Sequence, residues 1–363
     1  MQISRRNFIK LSGLAGATII AGGSLAACST GSGSASTSAS ASASASASGV
    51  AKPDKLYMEW LPSESTADYE QMRDEFSNSI AQGAGVPCET LTATDMNVVV
   101  EAICAGKTHY AYLGAAEYIN AHEKNPSVQP AWVLSDKEGK LNKVTYHSQV
   151  LCREEDADKY KKGDTYELSD VKGINYAFVS PGSTSGFVLP ATIYMNKFGL
   201  SSTDDIAESD KYLGTVTMAG SHALALYTLL TGDADLCSCD DTGTSNYYDV
   251  VEGTNGEVGA VYEVKKDLDS PFDTLAGQRV VCVASYAAPG APFVVNVDVV
   301  PEDMNQDVID YMCSDAVSDN PKLFTAPDDT TTVSKWKRST DEISFVPLDD
   351  SYYDDFRKLL SGE

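Results

Sequence analysis

Short apolar runs of strand length alternate along this chain with longer runs of helical period. Strands are predicted at residues 55–61, 86–92, 109–113, 144–153, 174–179, 215–218, 235–239, 280–283 and 293–297. The runs between and after them predict helices at residues 66–82, 95–105, 186–198, 222–230, 301–314 and 352–360. Because strands that alternate with helices form parallel sheets with helical crossovers, the sequence predicts an α/β fold. The series occurs twice, and a helix–glycine–strand unit recurs at Gly106 and at Gly232, which favours two similar lobes.

The first 27 residues predict an export signal, and residues 28–53 predict a tether. Residues 4–10 match a twin-arginine export pattern, and the apolar stretch at 11–21 is too short to span a bilayer, which takes about 20 residues. Residues 25–28 resemble the lipobox of bacterial lipoproteins, which implies cleavage before Cys28 and its lipidation. The alternative is a cleaved soluble signal with an incidental cysteine. Residues 29–49 consist of Ser, Ala, Gly and Thr, a composition that stays flexible. We therefore expect an extracytoplasmic protein, lipid-anchored to the outer face of the cell membrane.

The chain is strongly acidic. Its formal net charge is −25 at pH 7, and removal of the signal, which contains Arg5, Arg6 and Lys10 but no acidic residue, lowers it to −28. This charge argues against a nucleic-acid partner, because phosphate backbones are bound by lysine and arginine. An anionic ligand would have to be held by local dipoles and hydrogen bonds against an unfavourable overall field.

Seven cysteines follow Cys28, namely Cys88, Cys104, Cys152, Cys237, Cys239, Cys282 and Cys313. An odd number leaves at least one unpaired within the chain. Cys237 and Cys239 lack the spacing and the neighbouring histidines of a zinc site, so no metal is predicted. On a strand they would face one side as small buried residues. We predict thiols in the core; the alternative is one disulfide such as Cys88–Cys104.

An oxyanion site is predicted where the strand at 174–179 turns into the helix at 186–198. Ser183, Thr184 and Ser185 are three consecutive hydroxyl residues at this turn, and Gly186 follows them. Hydroxyl groups and the free N–H groups of a helix start, with the positive end of the helix dipole, can hold an anion without a cation. The alternative is an ordinary helix cap rich in Ser and Thr.

Further polar residues stand at the ends of other predicted strands, where open α/β sheets bind their ligands. Tyr112 ends one strand, His222 follows another, and Asp240 and Asp241 end the next. Their convergence with the hydroxyl cluster favours a ligand-binding cleft. The alternatives are a simple helix-start role for His222 and a solvated acidic loop for Asp240 and Asp241.

At these residues the chain resembles the phosphate/phosphite/phosphonate-binding family, the substrate-binding proteins of ABC importers. The resemblance runs from about residue 56 to the end. It is carried by residues 106–118, 183–190, 220–225, 232–235, 288–295 and 345–352. The run Ser183-Thr184-Ser185-Gly186, followed by Gly220-Ser221-His222, is its most specific part.

The resemblance implies a two-lobed type II periplasmic-binding-protein fold with two hinge strands. Lobe 1 would comprise residues 54–147 and 280–363, and lobe 2 residues 148–279. Ser183, Thr184, Ser185 and His222 would bind the oxyanion, together with Gly186. Asp240 or Asp241 could accept a hydrogen bond from a protonated ligand, and Glu64 could supply a carboxylate from across the cleft. We expect a monomer that serves an ABC permease and has no cofactor and no catalytic residue.

Three departures from the family pattern bear on ligand choice. Family members that bind aminoalkyl phosphonates have an acid where this chain has Ala291, and Leu113 and Met96 stand where aromatic residues are often found. The side of the cleft that would hold a cationic tail is therefore depleted. This favours phosphate, phosphite or a small neutral phosphonate.

The same scaffold is compatible with two other functions. One is a ligand sensor that reports to a membrane receptor. The other is an enzyme, in which Ser183 and His222 would act as nucleophile and base. The Gly-x-Ser-x-Gly elbow that exposes a reactive serine is missing around Ser183, which disfavours the enzyme.

Overall fold

The computed structural model describes residues 49–62, 66–136, 138–141, 146–326, 329, 332, 334, 336–337 and 343–362. The predicted signal peptide, Cys28, the tether up to residue 48 and Glu64 lie outside the described residues. Within the described residues, no helix has the length and apolar character needed to cross a membrane.

The chain begins with β1 (Leu56–Trp60), α1 (Thr66–Ala84), β2 (Cys88–Thr92), α2 (Met96–Cys104), β3 (Tyr110–Tyr112), α3 (Ala115–Lys124), β4 (Val128–Asp136) and β5 (Tyr146–Arg153). It continues with a 3-10 helix (Glu154–Tyr160), β6 (Lys161–Lys162), β7 (Thr165–Tyr166), β8 (Tyr176–Phe178), a π-helix (Thr184–Val188), α4 (Leu189–Phe198), α5 (Asp204–Ala207), β9 (Val216–Met218), α6 (His222–Leu230) and β10 (Leu236–Asp240). Next come a 3-10 helix (Thr244–Asn246), β11 (Tyr248–Glu252), β12 (Val261–Val264), a 3-10 helix (Phe272–Leu275), β13 (Arg279–Ala288) and β14 (Phe293–Asn296). The last elements are α7 (Glu302–Met312), α8 (Asp315–Ser318), β15 (Phe324–Thr325), β16 (Trp336–Lys337), β17 (Ile343–Pro347), a 3-10 helix (Asp350–Tyr353) and α9 (Asp354–Ser361).

Six strands form the first sheet, in the order β17-β4-β14-β3-β1-β2. Strand β1 pairs in parallel with β2 and β3, whereas β14 is antiparallel to β3 and β4. Buried aromatic rings hold α1 against this sheet: Phe76 of α1 stacks on Phe293 of β14 with ring centroids 4.6 Å apart, and Trp132 of β4 stacks on Phe293 at 5.4 Å.

Seven strands form the second sheet, in the order β11-β12-β13-β5-β10-β8-β9. Strand β8 is parallel to β9 and β10, while β5 is antiparallel to β10 and β13. The chain enters this sheet at β5, directly after β4 of the first sheet, and leaves it at β13, directly before β14. The paired strands β5 and β13 therefore carry both connections between the sheets.

The predicted α/β class is confirmed by these two sheets with their helices. The lobe boundaries stay a prediction. They place residue 280 and the residues after it in lobe 1, whereas β13 hydrogen-bonds with β12 and β5 of the second sheet.

The seven described cysteines are free thiols. Cys152, Cys237, Cys239 and Cys282 are buried, and Cys88, Cys104 and Cys313 are half-buried. The alternative pair Cys88 and Cys104 is thus not linked. Cys237 and Cys239, two residues apart on β10, both pack in the hydrophobic core.

Candidate functional site

A cavity of about 250 Å³ lies between elements of the two sheets. The described residues that line it are Leu61, Met96, Tyr112, Gly114, Glu117, Leu134, Tyr146, Ser183, Thr184, Ser185, His222, Asp240, Thr242, Gly290, Ala291, Phe293, Trp336 and Ile343. Six predicted binding residues are among them: Tyr112, Ser183, Thr184, Ser185, His222 and Asp240. Gly186 and Asp241 are not, and Glu64 is not described.

The hydroxyl cluster forms the start of the π-helix and lines the cavity. Ser183 is the N-cap of the π-helix, and its hydroxyl oxygen accepts a hydrogen bond from the Gly186 N–H at 3.2 Å. The carbonyl of Ser183 accepts from the N–H groups of Phe187 and Val188. The N–H groups of Thr184 and Ser185 come first in the helix and have no carbonyl partner in the described chain. The Ser185 N–H is therefore available to an acceptor in the cavity, whereas the Thr184 N–H is directed at the carboxylate of Glu117.

Gly186 contributes through its lack of a side chain. A Cβ at this position would collide with the side chain of Val179, which directly follows β8. Glycine therefore allows the helix start to approach the end of the strand closely. The residue supports the hydroxyl cluster without lining the cavity.

His222 is the first residue of α6, and Ser221 before it is the N-cap, whose hydroxyl accepts from the Leu224 N–H. The backbone N–H of Asp240 donates to Nδ1 of His222 at 3.0 Å. Because Nδ1 is used as an acceptor, the proton of the neutral ring is on Nε2. The nitrogen that remains for a ligand is thus a hydrogen-bond donor.

Asp240 and Asp241 have different surroundings. The carboxylate of Asp240 lines the cavity and accepts from the Gly243 N–H and the Thr242 hydroxyl, both at 3.1 Å. The carboxylate of Asp241 instead binds His147 of β5, accepting from its backbone N–H and contacting Nδ1, both at 2.8 Å. Of the two acids, Asp240 is the one beside the cavity.

The pair of His147 and Asp241 predicts a pH-dependent stability. The hydrogen bond to Asp241 raises the pKa of His147 above its ordinary value of 6.5, although burial opposes the shift. A raised pKa in the folded state contributes stability that is complete below about pH 6.5 and is lost as the pH rises through the folded pKa. We expect His147→Asn to lower the thermal unfolding temperature more at pH 6 than at pH 9. Asp241→Asn should show the same dependence, and additive effects in the double variant would contradict the pairing.

Glu117, in the first turn of α3, was not predicted as a site residue. Its side chain lines the cavity and is buried, with 3% of the residue exposed. One carboxylate oxygen, Oε2, accepts from the Thr184 hydroxyl at 2.8 Å, and the Thr184 hydroxyl oxygen accepts from the Ala116 N–H at 2.8 Å. Burial raises the pKa of Glu117 to about 7, although hydrogen bonds from the Thr184 hydroxyl and from the backbone N–H groups of Glu117 and Thr184 oppose the shift. A carboxylate thus sits beside the predicted anion site.

The remaining wall of the cavity is mostly apolar and aromatic. Tyr112 at the end of β3 packs on Phe293 with ring centroids 4.8 Å apart. Other residues of this wall are Leu61, Met96, Leu134, Ala291, Trp336 and Ile343. No lysine or arginine is among the described lining residues. The cavity therefore has neutral donors and two acidic residues, Glu117 and Asp240, on one side and an uncharged surface on the other.

A cleft rich in hydrogen-bond donors, between two α/β sheets that are joined by a pair of strands, defines the class of two-lobed solute-binding proteins. A family profile described as "ABC transporter, phosphonate, periplasmic substrate-binding protein" matches residues 58–353. The chain belongs to this family, as its sequence predicts. Membership implies an extracytoplasmic location.

The individual proteins that this chain matches have low sequence identity to it. The phosphate-import protein PhnD of Mycolicibacterium smegmatis is 27% identical over 190 residues, which cover 52% of this chain and 56% of the relative. The alignment thus spans little more than half of that curated protein.

Two solved structures are similar in fold. Prochlorococcus marinus PhnD1 in complex with methylphosphonate matches with a TM-score of 0.58 and 11% identity, covering 85% of this chain and 98% of the other. A binding-protein component of an ABC phosphonate transporter from Pseudomonas aeruginosa matches with a TM-score of 0.57 and 15% identity, covering 84% and 85%. The predicted type II periplasmic-binding-protein fold is confirmed.

Proposed function

We propose that this protein captures a small phosphorus oxyanion, namely phosphate, phosphite or a small phosphonate, and delivers it to an ABC importer. The observation that carries the proposal is the set of neutral donors around one cavity: the hydroxyls of Ser183 and Thr184, the Ser185 N–H at the helix start, and Nε2 of His222. Hydrogen bonds to a charged group contribute roughly 1.5–3 kcal/mol each. Four or five of them, after desolvation costs, support micromolar binding, which corresponds to about −8 kcal/mol.

A binding screen tests this function. Phosphate, phosphite, methylphosphonate, sulfate and aminoethylphosphonate would be compared by thermal shift and then by isothermal titration. Binding of at least one of the first three with micromolar or lower Kd supports the proposal. A purified, folded protein that binds none of the three would contradict it.

The proposal includes a non-catalytic role. The hydroxyl of Ser183 already caps the helix start by accepting from Gly186, and Nδ1 of His222 accepts from the Asp240 N–H. These bonds orient both side chains as ligand donors and do not pair them as nucleophile and base. We infer that the protein acts as a monomer, with residues 54–147 and 280–363 as one lobe and 148–279 as the other. The pairing of β5 with β13 supports a hinge at those two strands.

Membrane attachment through Cys28 is a further part of the proposal, and it rests on the lipobox-like residues 25–28 and the Ser/Ala tether. Because a lipid on Cys28 would be the anchor, Cys28→Ser should move the protein from the membrane fraction to the soluble fraction. Ligand affinity should stay unchanged, since the tether precedes the folded body. Fractionation and titration of both forms would measure this, and a membrane-bound Cys28→Ser protein would contradict lipid anchoring.

A further inference from the structure

The carboxylate of Glu117 holds the donors that an oxyanion would use. The Ala116 N–H donates to the Thr184 hydroxyl oxygen, and the hydroxyl donates its only proton to Oε2 of Glu117. The backbone N–H groups of Thr184 and of Glu117 itself also stabilise this carboxylate. Glu117 therefore lies between the starts of two helices, α3 and the π-helix, as a bound anion would.

No described cation offsets this charge. The titratable side chains that line the same cavity are Tyr112, Tyr146, His222 and Asp240. On the elements packed against α3, Glu101 of α2 pairs with Lys124, Cys104 of α2 donates to the Ala121 carbonyl, and Asp136 of β4 accepts from the Lys140 N–H. A doubly charged ligand beside an ionised Glu117 would thus place like charges together in a buried site, which disfavours ionisation of both.

We propose that Glu117 is a ligand-binding residue that shares one proton with the captured oxyanion, so that capture of a fully ionised ligand takes up a proton. This inference rests on the proposed function. A protonated Glu117 donates a hydrogen bond to the ligand and leaves the Thr184 hydroxyl free to do the same. An ionised Glu117 accepts a proton that the ligand itself carries. In both cases the complex contains one proton between the two groups.

The pH dependence of the ligand Kd follows from the pKa of Glu117 in the empty protein. With a pKa of about 7, Glu117 of the empty protein is mostly protonated below pH 6 and mostly ionised above pH 8. If the bound form keeps its proton, the Kd should rise by about tenfold for each pH unit above the pKa. Below the pKa this contribution disappears.

The test is isothermal titration with phosphate, phosphite and methylphosphonate, in buffers of different ionisation enthalpy, on the wild type and Glu117→Gln. Glutamine keeps the shape and an acceptor for Thr184, and cannot titrate. Because glutamine donates a hydrogen bond as a protonated Glu117 does, we expect Glu117→Gln to bind the fully ionised ligand, and the ratio of the wild-type Kd to the Glu117→Gln Kd then cancels the titration of the ligand itself. It should increase roughly 30-fold between about pH 6 and about pH 8.5. The matched control is Glu123→Gln, an exposed position on the same helix, for which the ratio should stay constant.

Proton uptake by the wild type gives a second readout that requires no variant to fold. Near pH 8 the wild type should take up about one proton per ligand more than Glu117→Gln. Parallel pH profiles of the two proteins, or no uptake by the wild type near pH 8, would overturn the role of Glu117 and leave the proposed function intact. Absence of binding of all three ligands to the wild type at any pH would overturn both.

Discussion

Aminoethylphosphonate is expected to bind this protein more than a hundredfold more weakly than methylphosphonate. The wall that would receive the tail of the ligand contains Ala291, Phe293, Leu134, Trp336 and Ile343, and none of these side chains carries a negative charge that could form an ion pair with an ammonium group. A buried charge left without its partner costs about 3–5 kcal/mol. That cost corresponds to more than a hundredfold in Kd.

The carboxylates of the cavity do not remove this cost. Glu117 is bonded to Thr184, and Asp240 to Gly243 and Thr242, so both lie on the side of the anion donors. An ammonium group that reached them would compete with the anion of its own ligand for the same space. The expected order of affinities therefore depends on position 291.

Substitution at position 291 tests the explanation. Ala291→Asp should narrow the gap between the two ligands, because a carboxylate would then stand on the tail side. Ala291→Asn is the matched control, with the same size and no charge, and should leave the gap in place. Competition titrations measure both variants. Tighter binding of aminoethylphosphonate than of phosphate, phosphite and methylphosphonate by the wild type would refute the inference.

Thr184→Val is expected to reduce ligand affinity by at least about tenfold, through loss of one charge-assisted hydrogen bond. Valine has nearly the shape of threonine, so packing should be kept. The same change also leaves the Ala116 N–H and the Glu117 carboxylate without their partner. An unsatisfied buried group costs about 1–3 kcal/mol, so the thermal unfolding temperature of the empty protein should fall by several degrees.

Thr192→Val provides the control for this variant. Thr192 is a buried residue of α4 that is not among the described lining residues of the cavity. Its replacement should leave affinity unchanged when measured by the same titration. Wild-type affinity of a folded Thr184→Val protein would remove Thr184 from the site.

The sequence predicts the polar half of the cavity well, because its signals are local. Ser183, Thr184 and Ser185 are adjacent to each other and to a helix start, and the strand-end rule brings His222 and Asp240 to the same edge of a sheet. The choice between Asp240 and Asp241 could not be made from sequence. It depends on His147, which lies 94 residues away and takes the second acid.

Glu117 was missed because its helix has no start signal. Helix α3 follows β3 after two residues, and Gly114 at the N-cap has no side chain to accept from the first turn. When this helix is not predicted, nothing distinguishes Glu117 from the many other acidic residues of the chain. An acid three residues after a glycine that closely follows a buried strand is the signal that could have indicated it.

Strand β4 was missed for a different reason. Pro130 is the third of its nine residues, and proline argues against an inner strand. The structure accommodates this residue at a register irregularity opposite β14, and β17 pairs only with residues 132–136. At Pro130 the strand therefore has a neighbour on one side alone. The register irregularity and the single neighbour at Pro130 are set by strands that are distant in sequence. The local sequence pattern therefore could not predict that a strand tolerates proline here.

Gly114 sets a limit on how closely the two walls of the cavity approach. A Cβ on this residue would collide with the Glu117 carboxylate of α3 and with the Thr184 hydroxyl of the π-helix. A single added methyl group would thus act as a wedge between α3 and the π-helix. The balance between open and closed arrangements of a two-lobed protein responds to free-energy differences of a few kcal/mol. The absence of a Cβ at residue 114 therefore influences how closely α3 and the π-helix can approach each other around a ligand.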